Sequence, residues 1–210
     1  SSGMAKSPTL SLRHDRQVDF VGGAAVVSKH IRKAGAKVRL STVLGDDDFK
    51  DLVLHDLEEQ GITCDCVIDP TRPTTQKNVF IEGAYRVLKV DKVDNTEISE
   101  RIRDHLKNSI VESQVDAFVF SDFRHGIFSH RTISEFTACL PEGPLRVADS
   151  QVASRWGNIL EFQGFDMITP NEREARFALG DQDSVIRPLA LELYKRAKCT
   201  TLILKLRDRG

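Results

Sequence analysis

The sequence has no apolar run long enough to cross a bilayer, and no signal peptide pattern is visible in it. It has only four cysteines, and Cys64-x-Cys66 has neither the spacing of a zinc knuckle nor a second pair to complete a metal site. Alternation along a strand, with both side chains on one face, explains this pair better. We therefore expect a cytoplasmic protein from a reducing compartment, without contact to a membrane.

The chain also lacks an excess of charge of either sign. Its formal net charge is −1, and Lys and Arg are spread along the sequence instead of forming a basic block. This distribution argues against a nucleic acid as the main partner. The three residues before Met4 are interpreted as the remnant of an expression tag, so residues 1–8 are left out of the fold. Residues 9–210, within a chain that is 40% hydrophobic, are expected to form a single domain with its own core.

Two parts of the sequence predict exposed β-ribbons. Residues 9–21 contain the short β-prone runs 9–12 and 18–21, and residues 75–90 contain two more around the Glu-Gly-Ala turn at 82–84. Polar residues alternate with the apolar ones in the second ribbon, and the apolar content of the first is low, so neither resembles a central strand. We expect the two ribbons to form one small sheet that stands apart from the core.

From residue 94 onward, helical patterns alternate with apolar runs that begin near residues 115, 145, 166 and 201. Such a series predicts parallel strands joined by right-handed crossovers. The sequence therefore predicts an α/β fold in which a parallel sheet is flanked by helices.

Polar side chains follow the strands of this series. Asp122, Asp149 and Asn171 come where predicted strands end, and Glu174 follows one helical turn later. Asn171 and Glu174 also match a helix capping box, and this stretch alone favours that structural interpretation. Because the carboxyl ends of parallel strands meet at one edge, however, all four groups are expected to come together there. This convergence favours a site for phosphate and a hydrated magnesium ion.

Three other features are compatible with both a structural and a functional role. Gly22 and Gly23 permit close approach of a ligand, or simply of another backbone. Asp46, Asp47 and Asp48, at the end of a strand-like run, could bind a metal or a sugar hydroxyl, or could instead form the turn and cap the following helix, which the local sequence favours. Asp149 lies at the predicted active edge, but an Asp that ends a parallel strand is also ordinary turn chemistry.

Six motifs occur in order along the chain: Gly22-Gly23-Ala24-Ala25, Gly45-Asp46-Asp47, Asp69-Pro70-Thr71-Arg72-Pro73-Thr74-Thr75-Gln76-Lys77, Arg86-Val87-Leu88-Lys89-Val90-Asp91, Ser121-Asp122-Phe123 and Thr169-Pro170-Asn171-Glu172-Arg173-Glu174-Ala175. This order resembles the PfkB or ribokinase-like carbohydrate kinases, and within them the heptose-phosphate kinase branch. The third and the last motif are quite specific, whereas the glycine pair alone is weak. The similarity covers nearly the whole chain, from Leu10 to Gly210.

The resemblance implies a ribokinase-like fold in which the predicted ribbons form a lid over the α/β core. It implies transfer of the γ-phosphoryl group of ATP, with Mg²⁺, to a hydroxyl of a sugar or sugar phosphate. Lid-to-lid contact, as in some relatives, would make the protein a homodimer and would cover the open strand edges.

Sequence and resemblance together identify the candidate site residues. Candidates for sugar binding are Gly22, Gly23, Asp47, Lys77, Arg86 and Asp122. Candidates for nucleotide or phosphate binding are Asn171, Glu172, Glu174 and Asp149, with the metal held by Glu174 and, through water, by Asn171.

The sequence also departs from the family. Val26 and Lys50 stand where the family has Asn and Gly, and the late Leu-Gly-x-x-Gly turn contains Arg207 at its first glycine. The Gly-Ala-Gly-Asp segment that carries the catalytic base has no counterpart, nor does the opening strand with its sugar-binding Asp. We therefore expect a partial kinase domain, truncated at both ends, whose base lies beyond Gly210 and which is inactive as the 210 residues alone.

Two alternatives remain at this point. The first is a catalytically inactive ribokinase-like module that binds a sugar or a partner chain. The second is an unrelated flavodoxin-like nucleotide-binding domain, which would leave the two ribbons without a role.

Overall fold

Helices and strands alternate along most of the chain in the structure, a computed structural model that describes residues 13–152 and 157–209. The elements in chain order are α1 (Ala24–Lys33), β1 (Arg39–Gly45), α2 (Asp48–Glu59), β2 (Thr63–Asp69), β3 (Gln76–Glu82), β4 (Tyr85–Lys92), α3 (Glu100–Glu112), β5 (Ala117–Asp122), α4 (His130–Ala138), β6 (Leu145–Ser150), β7 (Met167–Ile168), α5 (Glu172–Leu179), α6 (Ile186–Ala197) and β8 (Thr201–Leu202). Two short 3₁₀ turns lie at Ile159–Glu161 and Arg207–Arg209. None of the helices in these described ranges is long and apolar enough to cross a membrane.

The core strands are parallel. β5, β6, β7 and β8 form one sheet in that order, and a bridge between Asn171 and Lys205 extends the pairing of β7 with β8. β1 and β2 form a second parallel pair, in which Cys64 and Cys66 lie on the same face of β2 with their sulfur atoms in contact. The predicted α/β architecture, a parallel sheet flanked by helices, is confirmed.

The main core lies between the four-stranded sheet and helices α3 to α6. At its centre are phenylalanine rings with centroids 5.4–6.3 Å apart, mostly in tilted or edge-to-face contact: Phe120, Phe128, Phe136, Phe162 and Phe165. Edge-to-face contacts of this kind add to the free energy that burial of the rings provides. A smaller cluster, built on Ala25, Leu57 and Ile62, joins α1 and α2 to β1 and β2.

β3 and β4 form the predicted hairpin, here called the hairpin (residues 76–92). They pair antiparallel from Gln76–Lys92 to Glu82–Tyr85, with an irregularity between Phe80 and Ile81. Nearly all of its side chains are exposed, including apolar ones on both faces. The hairpin therefore presents apolar surface that no described residue covers.

The prediction of a strand at residues 18–21 is wrong. Residues 13–22 have no regular secondary structure, and Val18 and Phe20 are 57% and 85% exposed. A β-prone run forms a strand only when another strand pairs with it, and in the described residues none does. The companion run at residues 9–12 lies outside the described residues, so the described lid consists of the hairpin alone.

Candidate functional site

Asp47 lies two residues after the end of β1, at the N-cap position of α2. Its side chain makes no helix-cap hydrogen bond; instead, Asp47 Oδ2 accepts a hydrogen bond of 2.9 Å from the backbone N–H of Thr74. Burial raises the pKa of Asp47, but the hydrogen bonds from Thr74 outweigh it and bring the pKa below its ordinary value. Asp47 Oδ1 is buried and has no hydrogen-bond partner among the described residues. One acceptor atom of this carboxylate is therefore left without a partner among those residues.

The two glycines before α1 leave open space. A Cβ atom added at Gly22 or Gly23 would meet no described atom within 4 Å. This openness does not fit the interpretation of Gly22-Gly23 as a tight contact between a helix and a sheet. Only Gly23, with φ of +60°, has a backbone conformation that requires glycine.

Asp122, the last residue of β5, is fully enclosed by protein groups. Its Oδ1 accepts a hydrogen bond of 2.8 Å from the backbone N–H of Arg124, and its Oδ2 accepts one of 2.8 Å from Ser150 Oγ. Burial raises the pKa of Asp122, although the guanidinium of Arg124 and the Ser150 hydroxyl oppose this shift. In this arrangement the carboxylate shapes the turn that follows β5 and joins it to the end of β6.

That turn (residues 122–126) contains three consecutive residues with left-handed backbone. Arg124, His125 and Gly126 have φ values of 64°, 43° and 82°. A Cβ atom at Gly126 would lie 2.1 Å from the carbonyl oxygen of Thr96, so only glycine fits there. Burial, together with the charge of Lys77, lowers the pKa of His125. The turn after β5 therefore presents a neutral imidazole close to the hairpin.

The hairpin meets this turn at its base. Lys77 Nζ lies 5.6 Å from the centroid of the Phe123 ring, a cation–π contact. Arg86 lies towards the exposed tip, paired with Ile81 across the hairpin. The structure thus brings Lys77, but not Arg86, next to the core.

Asn171 and Glu174 form a complete capping box at the start of α5. Asn171 Oδ1 accepts from the backbone N–H of Glu174 at 3.0 Å, and Glu174 Oε2 accepts from that of Asn171 at 2.8 Å. The Asn171 side-chain amide also donates to Glu174 Oε1. Glu174 is 5% exposed, and this burial raises its pKa. The hydrogen bonds from Asn171 and the positive charge of Lys205 act in the opposite direction.

Charged side chains surround this capping box. Asp149 Oδ1 accepts from Thr169 Oγ1 at 2.8 Å and from Lys205 Nζ at 2.7 Å. Glu172 binds Arg176 at 2.8 Å and also binds Arg209. The structure therefore brings Asp149, Asn171, Glu172 and Glu174 to one edge of the sheet.

A pocket of about 440 Å³ opens beside them. Its lining contains five cationic side chains, Arg173, Arg176, Lys205, Arg207 and Arg209, and two carboxylates, Glu172 and Asp208. The excess of positive charge suits a phosphorylated ligand.

No group of three or more His, Cys, Asp and Glu side chains within residues 13–152 and 157–209 is arranged to hold a metal ion. Magnesium, however, keeps several of its waters and binds through one or two carboxylates plus substrate phosphates. The Asn171 amide oxygen at the pocket, and the buried Glu174 carboxylate hydrogen-bonded beside it, provide donors of that kind.

The sequence alone did not single out Arg72 and His125, which the structure joins by a hydrogen bond of 3.4 Å from Arg72 Nη1 to the carbonyl oxygen of His125. Arg72 lies in the third of the six motifs, and His125 follows Asp122, the last residue of β5, by three positions. These two positions are the features of the sequence that could have drawn attention to the residues, but neither position indicates which groups the side chain contacts.

Comparisons with known proteins identify the family of the chain. The profile of the pfkB family carbohydrate kinases matches residues 3–210. The bifunctional protein HldE of Sulfurimonas denitrificans is 25% identical over 212 residues, which cover 98% of this chain and 44% of that protein. The same protein of Geobacter sulfurreducens is 24% identical over 214 residues, covering 98% and 42%. The chain thus spans less than half the length of these curated relatives.

Solved structures share the fold. Phosphofructokinase-2 from Escherichia coli, in complex with fructose-6-phosphate, superposes with a TM-score of 0.77 at 16% identity and covers 97% of this chain and 68% of its own. Ribokinase from Giardia lamblia gives a TM-score of 0.66 at 16% identity, with coverage of 88% and 58%. The predicted ribokinase-like fold is confirmed, and the flavodoxin-like alternative is excluded.

Proposed function

The chain belongs to the pfkB family of carbohydrate kinases, and we propose that it serves the transfer of the γ-phosphoryl group of ATP to a hydroxyl of a sugar or sugar phosphate. The observation that carries the proposal is the cationic pocket beside Asn171 and Glu174, at the carboxyl edge of a parallel sheet. Ligands of open α/β sheets bind at this edge. Phosphoryl transfer depends mainly on positioning and on neutralising charge, and the pocket offers groups for both.

The nucleotide phosphates would lie in this pocket. Lys205 and the neighbouring arginines supply positive charge, and the first turn of α5 adds its helix dipole. Glu172 holds Arg176 and Arg209 and so orients two of those cations. Magnesium, which would neutralise phosphate charge, would be held by Glu174 directly and by Asn171 through water. Asp149 keeps Lys205 at the edge of the site.

The sugar would lie between the hairpin and the carboxyl edge. Asp47 Oδ1 is the acceptor for a hydroxyl, and the open space at Gly22 and Gly23 lets a ligand approach the backbone. Lys77 lies over the Phe123 ring at the hairpin base, and Asp122 sets the shape of the turn that carries Phe123. Arg86 would contact the sugar only if the hairpin closes further over it.

We further propose a cytoplasmic homodimer that forms through the hairpin. The exposed apolar residues of the hairpin, among them Ile81 and Tyr85 at 62% and 80%, need a partner surface, and a second hairpin offers the same composition.

Exchange of Glu174 for glutamine tests the nucleotide site. Glu174→Gln keeps an acceptor for the Asn171 N–H, so the helix cap and the stability should change by about 1 kcal/mol or less. It removes the negative charge, so affinity for ATP with magnesium should fall by roughly tenfold while affinity for the sugar stays the same. Calorimetric titration with ATP–magnesium and with hexose and heptose phosphates measures both.

Glu192→Gln is the matched control, because Glu192 lies exposed on α6 in an ion pair with Arg196, away from the pocket. Equal ATP affinity in Glu174→Gln and Glu192→Gln would contradict the assignment of the nucleotide site. Because the 210 residues alone are expected to be inactive, binding decides between the two interpretations: binding of a sugar phosphate without binding of ATP–magnesium would favour the inactive sugar-binding module instead.

A further inference from the structure

Arg72 connects three segments around the candidate sugar site. Its side chain is 8% exposed, and Arg72 Nε donates to Asp69 Oδ2 at 2.9 Å. Arg72 Nη2 donates to the carbonyl oxygen of Thr96 at 3.2 Å, and Nη1 to that of His125 at 3.4 Å. One planar guanidinium thus joins the end of β2, the segment before α3 and the turn after β5.

The carboxylate partner of Arg72 is itself fixed. Asp69 Oδ1 accepts hydrogen bonds from Thr71, from the backbone N–H at 3.0 Å and from the hydroxyl at 2.6 Å. Burial raises the pKa of Asp69, but the bonds from Thr71 and Arg72 outweigh it and bring the pKa below its ordinary value. A buried ion pair adds little net stability compared with apolar residues of the same volume. We therefore assign the Arg72–Asp69 ion pair a role in fixing the positions of these segments and not in raising the stability of the protein.

Each segment that Arg72 joins leads to a candidate ligand group. The loop at residues 70–75 contacts Asp47 through the N–H of Thr74 and continues directly into β3, which carries Lys77. The turn at 122–126 carries Phe123, over which Lys77 lies. A Cβ atom at Gly126 would lie 2.6 Å from Arg72 Nη1, so the guanidinium also fits closely against that turn.

We propose that Arg72 is the positioning residue of the sugar site. It holds the base of the hairpin at a fixed distance from the turn after β5, so that Asp47 and Lys77 face the same ligand. Arg72 itself does not touch the sugar. The assignment rests on the proposed function, because it presumes that a sugar or sugar phosphate binds between the hairpin and the core.

Arg72→Met tests the proposal, because methionine keeps an unbranched apolar stem and removes all donors. We expect the dissociation constant for hexose or heptose phosphate to rise by about tenfold or more, since small displacements of positioning groups have large effects. The dissociation constant for ATP–magnesium should stay within about twofold, because the pocket at α5 does not contact Arg72. Arg72→Lys should recover part of the loss, since an ammonium can reach Asp69 but cannot bond both carbonyls in the same fork.

Arg103→Met is the matched control. Arg103 is also buried, with a side chain 10% exposed, and its Nη1 donates to Glu97 Oε1 at 3.1 Å and to the carbonyl oxygen of Ile98 at 3.2 Å. It lies on α3 and does not join the loop at 70–75. Both substitutions leave a carboxylate without its buried cation, so both should destabilise the protein. Only Arg72→Met should weaken sugar binding.

The proposal is overturned if Arg72→Met binds the sugar phosphate like wild type, if sugar and nucleotide affinity fall together in Arg72→Met, or if Arg103→Met weakens sugar binding as much as Arg72→Met does. If the wild-type protein binds no sugar phosphate, the proposed function fails, and hydrogen exchange then decides the positioning role by itself. Faster amide exchange of residues 76–92 and 124–126 in Arg72→Met, but not in Arg103→Met, supports that role. Unchanged exchange in both ranges refutes it.

Discussion

Gly45, the last residue of β1, lies against the loop that leads to the hairpin. A Cβ atom built on Gly45 would lie 2.4 Å from the backbone nitrogen of Thr74, 2.5 Å from the carbonyl oxygen of Arg72 and 2.7 Å from the carbonyl carbon of Pro73. Ordinary contact begins at 3.4 Å, so Gly45→Ala requires the loop to move by about 1 Å. All three neighbours are backbone atoms, so no side-chain rotation can relieve the overlap.

The size of the effect follows from these contacts. Overpacking of this kind costs about 1–3 kcal/mol. Displacement of the loop also weakens the hydrogen bond of 3.0 Å from Gly45 N–H to Thr74 Oγ1, which contributes about 1 kcal/mol. The lower entropy of the unfolded alanine chain offsets less than about 1 kcal/mol. We therefore expect the free energy of unfolding to fall by about 2–3 kcal/mol.

Urea denaturation followed by circular dichroism measures this change, with Gly22→Ala as the control. A Cβ atom at Gly22 meets no described atom within 4 Å, and its φ lies outside the left-handed region, so Gly22→Ala should alter the unfolding free energy by no more than about 0.5 kcal/mol. If Gly45→Ala proves as stable as Gly22→Ala, the loop at 70–75 does not pack on β1, and the reasoning that links it to Asp47 is refuted.

Two further predictions concern pH and assembly. Because the folded protein holds the pKa of His125 below its ordinary 6.5, the stability that its neutral form contributes is present above about pH 6.5 and is lost as the pH falls through the folded pKa. Urea unfolding at about pH 7.5 and about pH 5.5 should therefore show a smaller acid loss in His125→Gln than in wild type, and equal losses would contradict the burial of the imidazole. Ile81→Lys should convert the proposed dimer into a monomer in sedimentation equilibrium, whereas Val111→Lys, at a similarly exposed position on α3 (63% against 62%), should leave the mass unchanged. Equal masses for wild type and Ile81→Lys would place any dimer contact elsewhere.

The strands that the sequence predicted correctly are those with strong local signals. The apolar run ending at Phe120 forms β5, with Phe120 in the main core and Val119 40% exposed on the other face, and the Glu-Gly-Ala turn at 82–84 closes a hairpin as expected. Residues 18–21 have similar β-propensity but no pairing strand in the described residues. Propensity describes how a residue fits a sheet, and it does not show whether a neighbouring strand exists.

The candidate site was predictable only where chain order determines position. Parallel strands with helical crossovers put their carboxyl ends on one edge, so Asp149, Asn171 and Glu174 could be placed together before the structure was known. The contacts of Arg72 could not be predicted, because two of its three acceptors are backbone carbonyls of residues distant in sequence. Every residue type has the same backbone carbonyl group, so no sequence pattern identifies which carbonyl will accept a hydrogen bond from Arg72.

The capping box and the proposed metal site at α5 are not mutually exclusive. Asn171 and Glu174 use their oxygens to accept N–H groups, but each carboxylate oxygen has two acceptor positions, so capping leaves one free on each. Capping therefore fixes the direction of the remaining lone pairs. Burial raises the pKa of Glu174, which means that the charged form lacks full compensation from the protein. A divalent cation at the pocket would supply that compensation, so the same two residues can end a strand, begin a helix and orient a hydrated ion.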